Sequence, residues 1–228
     1  MSADFIPDVV LTDNTSQRLP CVLVLDGSAS MTENQAGTNA LNELNDGLKI
    51  LENELKNDDT AAQRVQLLVI RLGGDDEVEV ISDWTDAMDF TAPVLVGNGR
   101  TPLGNAMRFA LSKLKDQKEN YNAHDIPYNR PWIFVITDGA PTDLRWEEAA
   151  ADCRRAEDNN EVIVFPIGTV GADFDALSKF SNRSPVKLDG LKFRELFIWL
   201  SRSASSASQA TQDTQMQLPA VDWGVIST

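Results

Sequence analysis

Five oxygen-bearing side chains are spaced so that they could hold a hard divalent cation. Asp26, Ser28 and Ser30 alternate in "DGSAS", directly after the apolar run "CVLVL". Thr101 follows "GNGR" and precedes an amphipathic stretch, and Asp138 follows "WIFVIT" inside "TDG". Mg2+ takes about six oxygens at roughly 2.0–2.1 Å, and commonly keeps several waters beside one or two carboxylates. Two aspartates would balance the ion's charge. Three neutral hydroxyls would fill further positions without adding charge, which leaves the ion electrophilic and open to a carboxylate from outside. In a loop leaving a strand, residues 28 and 30 can point the same way, and Gly27 is expected to let the backbone turn there.

Each of these residues also has an ordinary structural reading. Asp26 at a strand end can cap the next segment. Ser28, Ser30 and the pair Asp138–Gly139 are common turn residues. Thr101 before Pro102 reads as a helix N-cap with proline in the first helical position. Capping and ligation are not exclusive. Ligation is favoured by the set as a whole, because all five fall on loops that a single fold would bring to one rim.

The elements that must position them alternate in type. "CVLVL" (21–25), "VQLLVIRL" (65–72), "WIFVIT" (132–137) and "VIVFPI" (162–167) read as buried strands, the proline of the last suggesting a bulge or strand end. "VEVI" (78–81) follows the turn signal "GGDD" and pairs back as a hairpin. Between strands, Leu41, Leu44, Leu48, Leu51 and Leu55 recur at helical spacing, as do Leu103, Met107, Ala110, Leu111 and Leu114. Trp146, Ala149, Ala150, Cys153 and Glu157 mark a further helix, "DFDALSKF" a short one, "VKL" a short strand and "KFRELFIWLSRSAS" a closing helix. The pattern predicts an α/β fold: a doubly wound, mostly parallel Rossmann-like sheet with one antiparallel edge strand and helices on both faces. In such sheets ligands sit beyond the carboxyl ends of the strands, where all three candidate loops lie. One domain is expected over 18–202, with an N-terminal extension (1–17) and a C-terminal tail (203–228). The tail opens with low-complexity "SSASQATQDTQ" and ends with "LPAVDWGVIST", which could dock back and bury Leu218 and Trp223.

Bulk properties narrow the function. The 228 residues suffice for one α/β domain with a well-buried core. The net charge of −15 disfavours nucleic acid as a partner and favours cations and basic protein surfaces. No apolar run approaches the roughly 20 residues that span a bilayer, and the start "MSADFIPDVV" does not resemble a signal peptide. Cys21 and Cys153 fall within apolar patterns, as buried free thiols do, which points to the cytoplasm.

Other residues invite weaker readings. His124 lies in the polar stretch "YNAHDIPYN" and is expected in a surface loop. Asp75, Asp76, Glu77 and Glu79 lack the spacing of a calcium loop and read as a solvated hairpin. Trp84, Trp146, Trp199 and Trp223 are expected as core or docking anchors, with Trp146 the one nearest the rim. Glu33 and Asp143 are expected near the site, where they would tune its charge or simply be solvated.

At the level of family, "DGSAS", "RTPLG" and "ITDGAPTD" together resemble the metal-ion-dependent adhesion site (MIDAS) of von Willebrand factor A (VWA) domains. Many members have glycine between the serines where this chain has Ala29. The pattern "GxTPLGxA", the segment "IPYNRPWIFVITDGAPTD" and the endings "FRELFIWLS" and "LPAVDWG" resemble the TerY-type tellurite-resistance branch, over about residues 18 to 225. The resemblance implies that Ser28, Ser30 and Thr101 supply hydroxyl ligands, and that Asp26 and Asp138 hold the ion directly or through water. It implies Mg2+, with Mn2+ or Ca2+ as alternatives. The partner would be a protein presenting an acidic residue, with neither nucleic acid nor membrane involved. The context would be a cytoplasmic scaffold in a tellurite-resistance or stress-response system beside a kinase and a phosphatase. Two other readings stand beside this one: a metal-dependent phosphoryl-transfer or hydrolase activity, and a purely structural assembly subunit. Against the first, "DGSAS" has serine where the aspartate-nucleophile phosphotransferase loop has a second aspartate. "GNGRTPLG" lacks the lysine of a phosphate-binding loop, and a serine triad would have to recruit His124.

Overall fold

The computed structural model describes residues 16–35, 38–74, 77–188, 192–209 and 224–226. In chain order the elements are β1 (Leu19–Asp26), a short 3-10 turn (Ala29–Thr32), the two-residue strands β2 (Asn34–Gln35) and β3 (Thr38–Asn39), α1 (Ala40–Lys56), α2 (Asp59–Arg64), β4 (Val65–Gly73), β5 (Glu77–Asp86), α3 (Leu103–Ala123), β6 (Trp132–Thr137), α4 (Trp146–Asp158), β7 (Ile163–Gly168), α5 (Phe174–Ser178), β8 (Val186–Leu188), α6 (Phe193–Gln209) and β9 (Gly224–Ile226). The main sheet runs β5-β4-β1-β6-β7-β8-β9. Its five inner strands are parallel; β5 pairs antiparallel with β4 at one edge and β9 antiparallel with β8 at the other. The doubly wound α/β fold is therefore present, with β9 as a second antiparallel edge strand from the C-terminal tail. Leu218, Trp223, Asp75 and Asp76 lie outside the described residues.

Strand alternation divides the core in two. Cys21, Leu23 and Leu25 of β1 face one layer, with Leu44, Leu48 and Leu51 of α1 and Phe193, Phe197 and Leu200 of α6. Val22 and Val24 face the other, with Met107 and Ala110 of α3 and Ala149, Ala150 and Cys153 of α4. The two free cysteines thus lie on opposite faces of the sheet, both buried. The closing helix continues through Ala204 and Ala207, both buried against the first layer, into the stretch that reads as low-complexity. Among the described residues, no helix is long and apolar enough to cross a membrane.

Pro166 corrects an expectation. It sits within β7 in unbroken register with β6, Val135 opposite Pro166, rather than at a bulge. Val164, two residues earlier, turns its amide to the Glu157 carboxylate (2.9 Å), and a residue of the same parity points its amide the same way. Pro166 therefore forfeits no bond to β6, and β8 pairs only from Ile167 onward.

The topology fixes where a ligand can sit. From β1 the chain winds outward to β4 and β5, then crosses back to β6, β7 and β8 on the other side. The strand order reverses between β1 and β6. The loops that leave those two strands flank a crevice at their carboxyl ends.

Candidate metal centre

Asp26 is the last residue of β1 and Asp138 the first residue after β6, so the two carboxylates stand across the crevice. Asp26 is fully buried, and both its oxygens accept hydrogen bonds: Oδ1 from the Ser28 amide (2.8 Å), Oδ2 from the Thr137 hydroxyl. The Ser28 and Ser30 hydroxyls lie 3.0 Å apart, and Ser30 Oγ donates to Asp138 Oδ1 at 2.7 Å. Hydroxyls of the first loop are thus joined to the carboxylate of the third across 108 residues of sequence. Thr101 is 5% exposed, and its Oγ1 lies 3.2 Å from where a Cβ on Gly139 would stand, next to Asp138.

Thr101 does not cap the following helix, contrary to the expectation from sequence. Pro102 occupies the N-cap position and α3 begins at Leu103. The cap comes from Asp143 instead, whose carboxylate accepts from the Gly104 (3.1 Å) and Asn105 (3.0 Å) amides. Thr142 beside it accepts from the Thr101 amide (3.1 Å) and returns its own amide to the Thr101 carbonyl (2.9 Å). The third loop therefore fixes Thr101 by its backbone and caps α3. The Thr101 hydroxyl is spent on neither contact.

Gly27 also has a different reason from the one expected. Its backbone is not in the left-handed region. A Cβ there would stand 2.6 Å from Arg71 Nε and 3.0 Å from Arg71 Cγ, so glycine is needed for close approach of a buried side chain. Gly99 is the position where conformation decides: its φ is +71°, and a Cβ would lie 1.7 Å from the Gly74 carbonyl oxygen.

Burial acts on both acids. It pushes the Asp26 carboxyl up to about 6, against the lowering pull of the Thr137 and Ser28 hydrogen bonds, with neighbouring Asp138 adding to the rise. Asp138 is also raised, chiefly by burial, with the Ser30 hydrogen bond opposing and the negative charge of Glu33 contributing. Among the described residues, no three of His, Cys, Asp or Glu gather as metal ligands would. A cation here would have to draw on two carboxylates and neighbouring hydroxyls. That donor set, all oxygen with three of five donors neutral, suits a hard divalent ion.

The structure brings together Asp26, Ser28, Ser30 and Asp138 through hydrogen bonds, and sets Thr101 beside them. Sequence reading missed Thr137, Thr142, Asn98 and Arg71. Thr137 had a signal, a hydroxyl ending an otherwise apolar strand. The weaker candidates lie outside this hydrogen-bonded cluster, although Trp146 stays near the rim, its Cα 2.5 Å from where a Cβ on Gly104 would stand. His124 follows the far end of α3, with Nδ1 2.9 Å from the Asn120 carbonyl. Trp146 stacks on Phe180 (6.0 Å between centroids), with Lys179 over its ring. Glu79 is not merely solvated: it accepts from Arg71 at 2.6 Å.

Residues 21–140 match the family model described as von Willebrand factor type A domain. A search among curated proteins finds no match. Among solved structures, the fold is similar to the pilus adhesin SpaC from Lactobacillus rhamnosus GG (TM-score 0.63, 17% identity, covering 86% of this chain and 32% of that one). It is also similar to proximal thread matrix protein 1 from the mussel byssus, in a form with a zinc-occupied MIDAS motif (TM-score 0.54, 14% identity, 86% and 47%). A third is the ArnB paralog VWA2 from Sulfolobus acidocaldarius (TM-score 0.53, 16% identity, 82% and 45%). The chain spans less than half the length of each of these three proteins.

Proposed function

Because the chain belongs to the von Willebrand factor type A family, we propose that its rim cluster holds a divalent cation and uses it to bind an acidic side chain of a partner protein. The observation that carries this reading is the hydrogen-bonded run Ser28–Ser30–Asp138, which gathers oxygens of two separate loops at the strand-order reversal. Ser28, Ser30 and Thr101 would offer hydroxyls to the ion and Asp138 a carboxylate oxygen. Asp26 would hold the ion directly or through water, since each of its oxygens keeps an acceptor site beside the bonds from Ser28 and Thr137. When bound, the ion supplies a Lewis-acidic position that a carboxylate from outside can complete. Mg2+ is the ion proposed, with Mn2+ and Ca2+ as alternatives. The zinc-occupied motif of the mussel protein makes Zn2+ a useful fourth arm of the test.

We propose a binding module rather than an enzyme. The cluster contains carboxylates and hydroxyls, and the chain's one histidine lies at the other end of α3. The motif resemblance to the TerY-type branch supports a finer reading: a cytoplasmic scaffold of a tellurite-resistance or stress-response system, working beside a kinase and a phosphatase.

Thermal denaturation tests the metal reading. Mg2+, Mn2+, Ca2+ and Zn2+ are titrated into chelator-stripped wild type, Asp26→Ala and Asp138→Ala. A bound ion at about 100 times its Kd stabilises by about 2.7 kcal/mol, so the wild-type Tm should climb and saturate while both variants stay flat. A wild type whose Tm ignores all four ions at millimolar concentration would sink the proposal.

A further inference from the structure

We propose that Arg71 is the positioning residue of the metal centre: it fastens the 96–100 loop against which the Asp26–Ser30 loop is shaped. This inference rests on the metal reading above. Arg71 lies in β4 opposite Leu25 and is 7% exposed. Such a buried cation must find acceptors, and its planar fork reaches three. Nε donates to the Val96 carbonyl (2.8 Å), Nη1 to Glu79 Oε1 (2.6 Å), and Nη2 to Asn98 Oδ1. Two of the three acceptors belong to the same loop.

That loop in turn holds the first ligand loop by its backbone. The Asn98 amide donates to the Gly27 carbonyl (2.8 Å), and the Ala29 amide donates to the Gly99 carbonyl (3.1 Å). Gly27 and Ala29 flank Ser28, so these two bonds set the path of the chain on either side of the first hydroxyl ligand. Gly74 secures the loop from β4, donating to the Asn98 carbonyl (2.7 Å) and accepting from the Arg100 amide (2.8 Å). The next residue is Thr101. A single segment, 98–101, thus shapes one ligand loop and carries the ligand of another, and its side-chain anchor is Arg71. The bare Cα of Gly27, which leaves room for the Arg71 stem, belongs to the same device.

Lysine cannot replace this arrangement. It keeps the charge but loses the fixed fork that addresses Nε, Nη1 and Nη2 to different acceptors. A residue that only stabilised the β4–β5 hairpin would act through Glu79, which separates the two roles.

The test uses the full chain as wild type, Arg71→Lys, Asn98→Ala, Asn98→Asp and Glu79→Gln. Amide hydrogen exchange is measured in chelator and Mn2+ affinity by calorimetry. In Arg71→Lys and Asn98→Ala, the Asn98, Ala29 and Arg100 amides should exchange faster while amides inside β1 and β6 stay protected. Mn2+ should bind about 10- to 100-fold more weakly, the range seen when an orienting partner of a metal ligand is lost. Asn98→Asp keeps the acceptor and should restore binding, and Glu79→Gln should leave it unchanged. Asn98 is exposed, so its truncation stays informative if Arg71→Lys fails to fold. Unchanged exchange in these loops overturns the proposal, and so does faster exchange with wild-type Mn2+ affinity. A wild type that binds no Mn2+ refutes the metal reading itself, a failure seen without any variant.

Discussion

Asp143 closes the first turn of α3 at the Gly104 amide, from a loop 39 residues further along the chain. A helix N-terminus leaves backbone donors unsatisfied, and the residue just before it usually supplies the acceptor. Here that residue is Pro102, which has no side-chain acceptor, and Thr101 lies one position too early. The loop after β6 supplies the acceptor, so one segment both caps α3 and holds the Thr101 backbone. The negative carboxylate also suits the positive end of the helix dipole.

Asp143→Ala should therefore lower two quantities together. Losing the cap should cost about 1 kcal/mol of stability, read as a fall in Tm in chelator. Because Thr142 and Asp143 hold the second and third loops together, Mn2+ affinity should fall as well. Asp143→Asn keeps an acceptor and should lie between. A variant with the expected Tm loss and unchanged Mn2+ binding would show that the cap and the site are independent.

Thr101→Ala should do the reverse. The hydroxyl is no cap, and the loop is held by backbone bonds to Thr142 that alanine retains. The metal-free stability should fall by only about 0.5 kcal/mol, the low end for point substitutions. Capture of partner proteins on the immobilised chain, compared with and without chelator by mass spectrometry, should lose its metal-dependent component. Capture that persists undiminished would remove Thr101 from the binding surface.

These variants also mark how far the sequence could be read. The alternation of "DGSAS" and the apolar runs before Asp26 and Asp138 were enough to place both carboxylates at strand ends, because a buried strand and its exit have a local signature. Apolar patterns also placed five of the six helices, all but the short α2 (Asp59–Arg64). What stayed hidden depends on contacts distant in sequence. Asp143 as a cap requires knowing that two loops meet. Arg71 reads as an ordinary charge in "VIRL" until the 96–100 loop is laid over it. Gly27 looked like a turn residue, but its glycine answers to Arg71. Pro166 reads as an interruption, yet it sits in register with β6 at a position whose missing N–H costs that pairing no bond.

Acidity offers the remaining test. Burial raises the Asp26 carboxyl from its ordinary value of 3.8 to about 6 in the metal-free fold. A folded-state pKa above the unfolded one means that the native state holds its proton more tightly. The contribution to stability is then fully present below about 4 and is lost as pH rises through 6. The stripped protein should accordingly lose Tm across that window, insofar as Asp26 governs it, and Asp138, raised in the same direction, should add to the loss. A divalent ion competes with those protons and prefers the ionised acids. The Tm gain from saturating Mg2+ should therefore be small at pH 5 and grow toward pH 7. In Asp26→Asn, which cannot ionise, the metal-free slope between pH 4 and 6 should flatten. A Tm gain that is equally large at pH 5 and pH 7 would mean that the ion does not answer to these carboxylates.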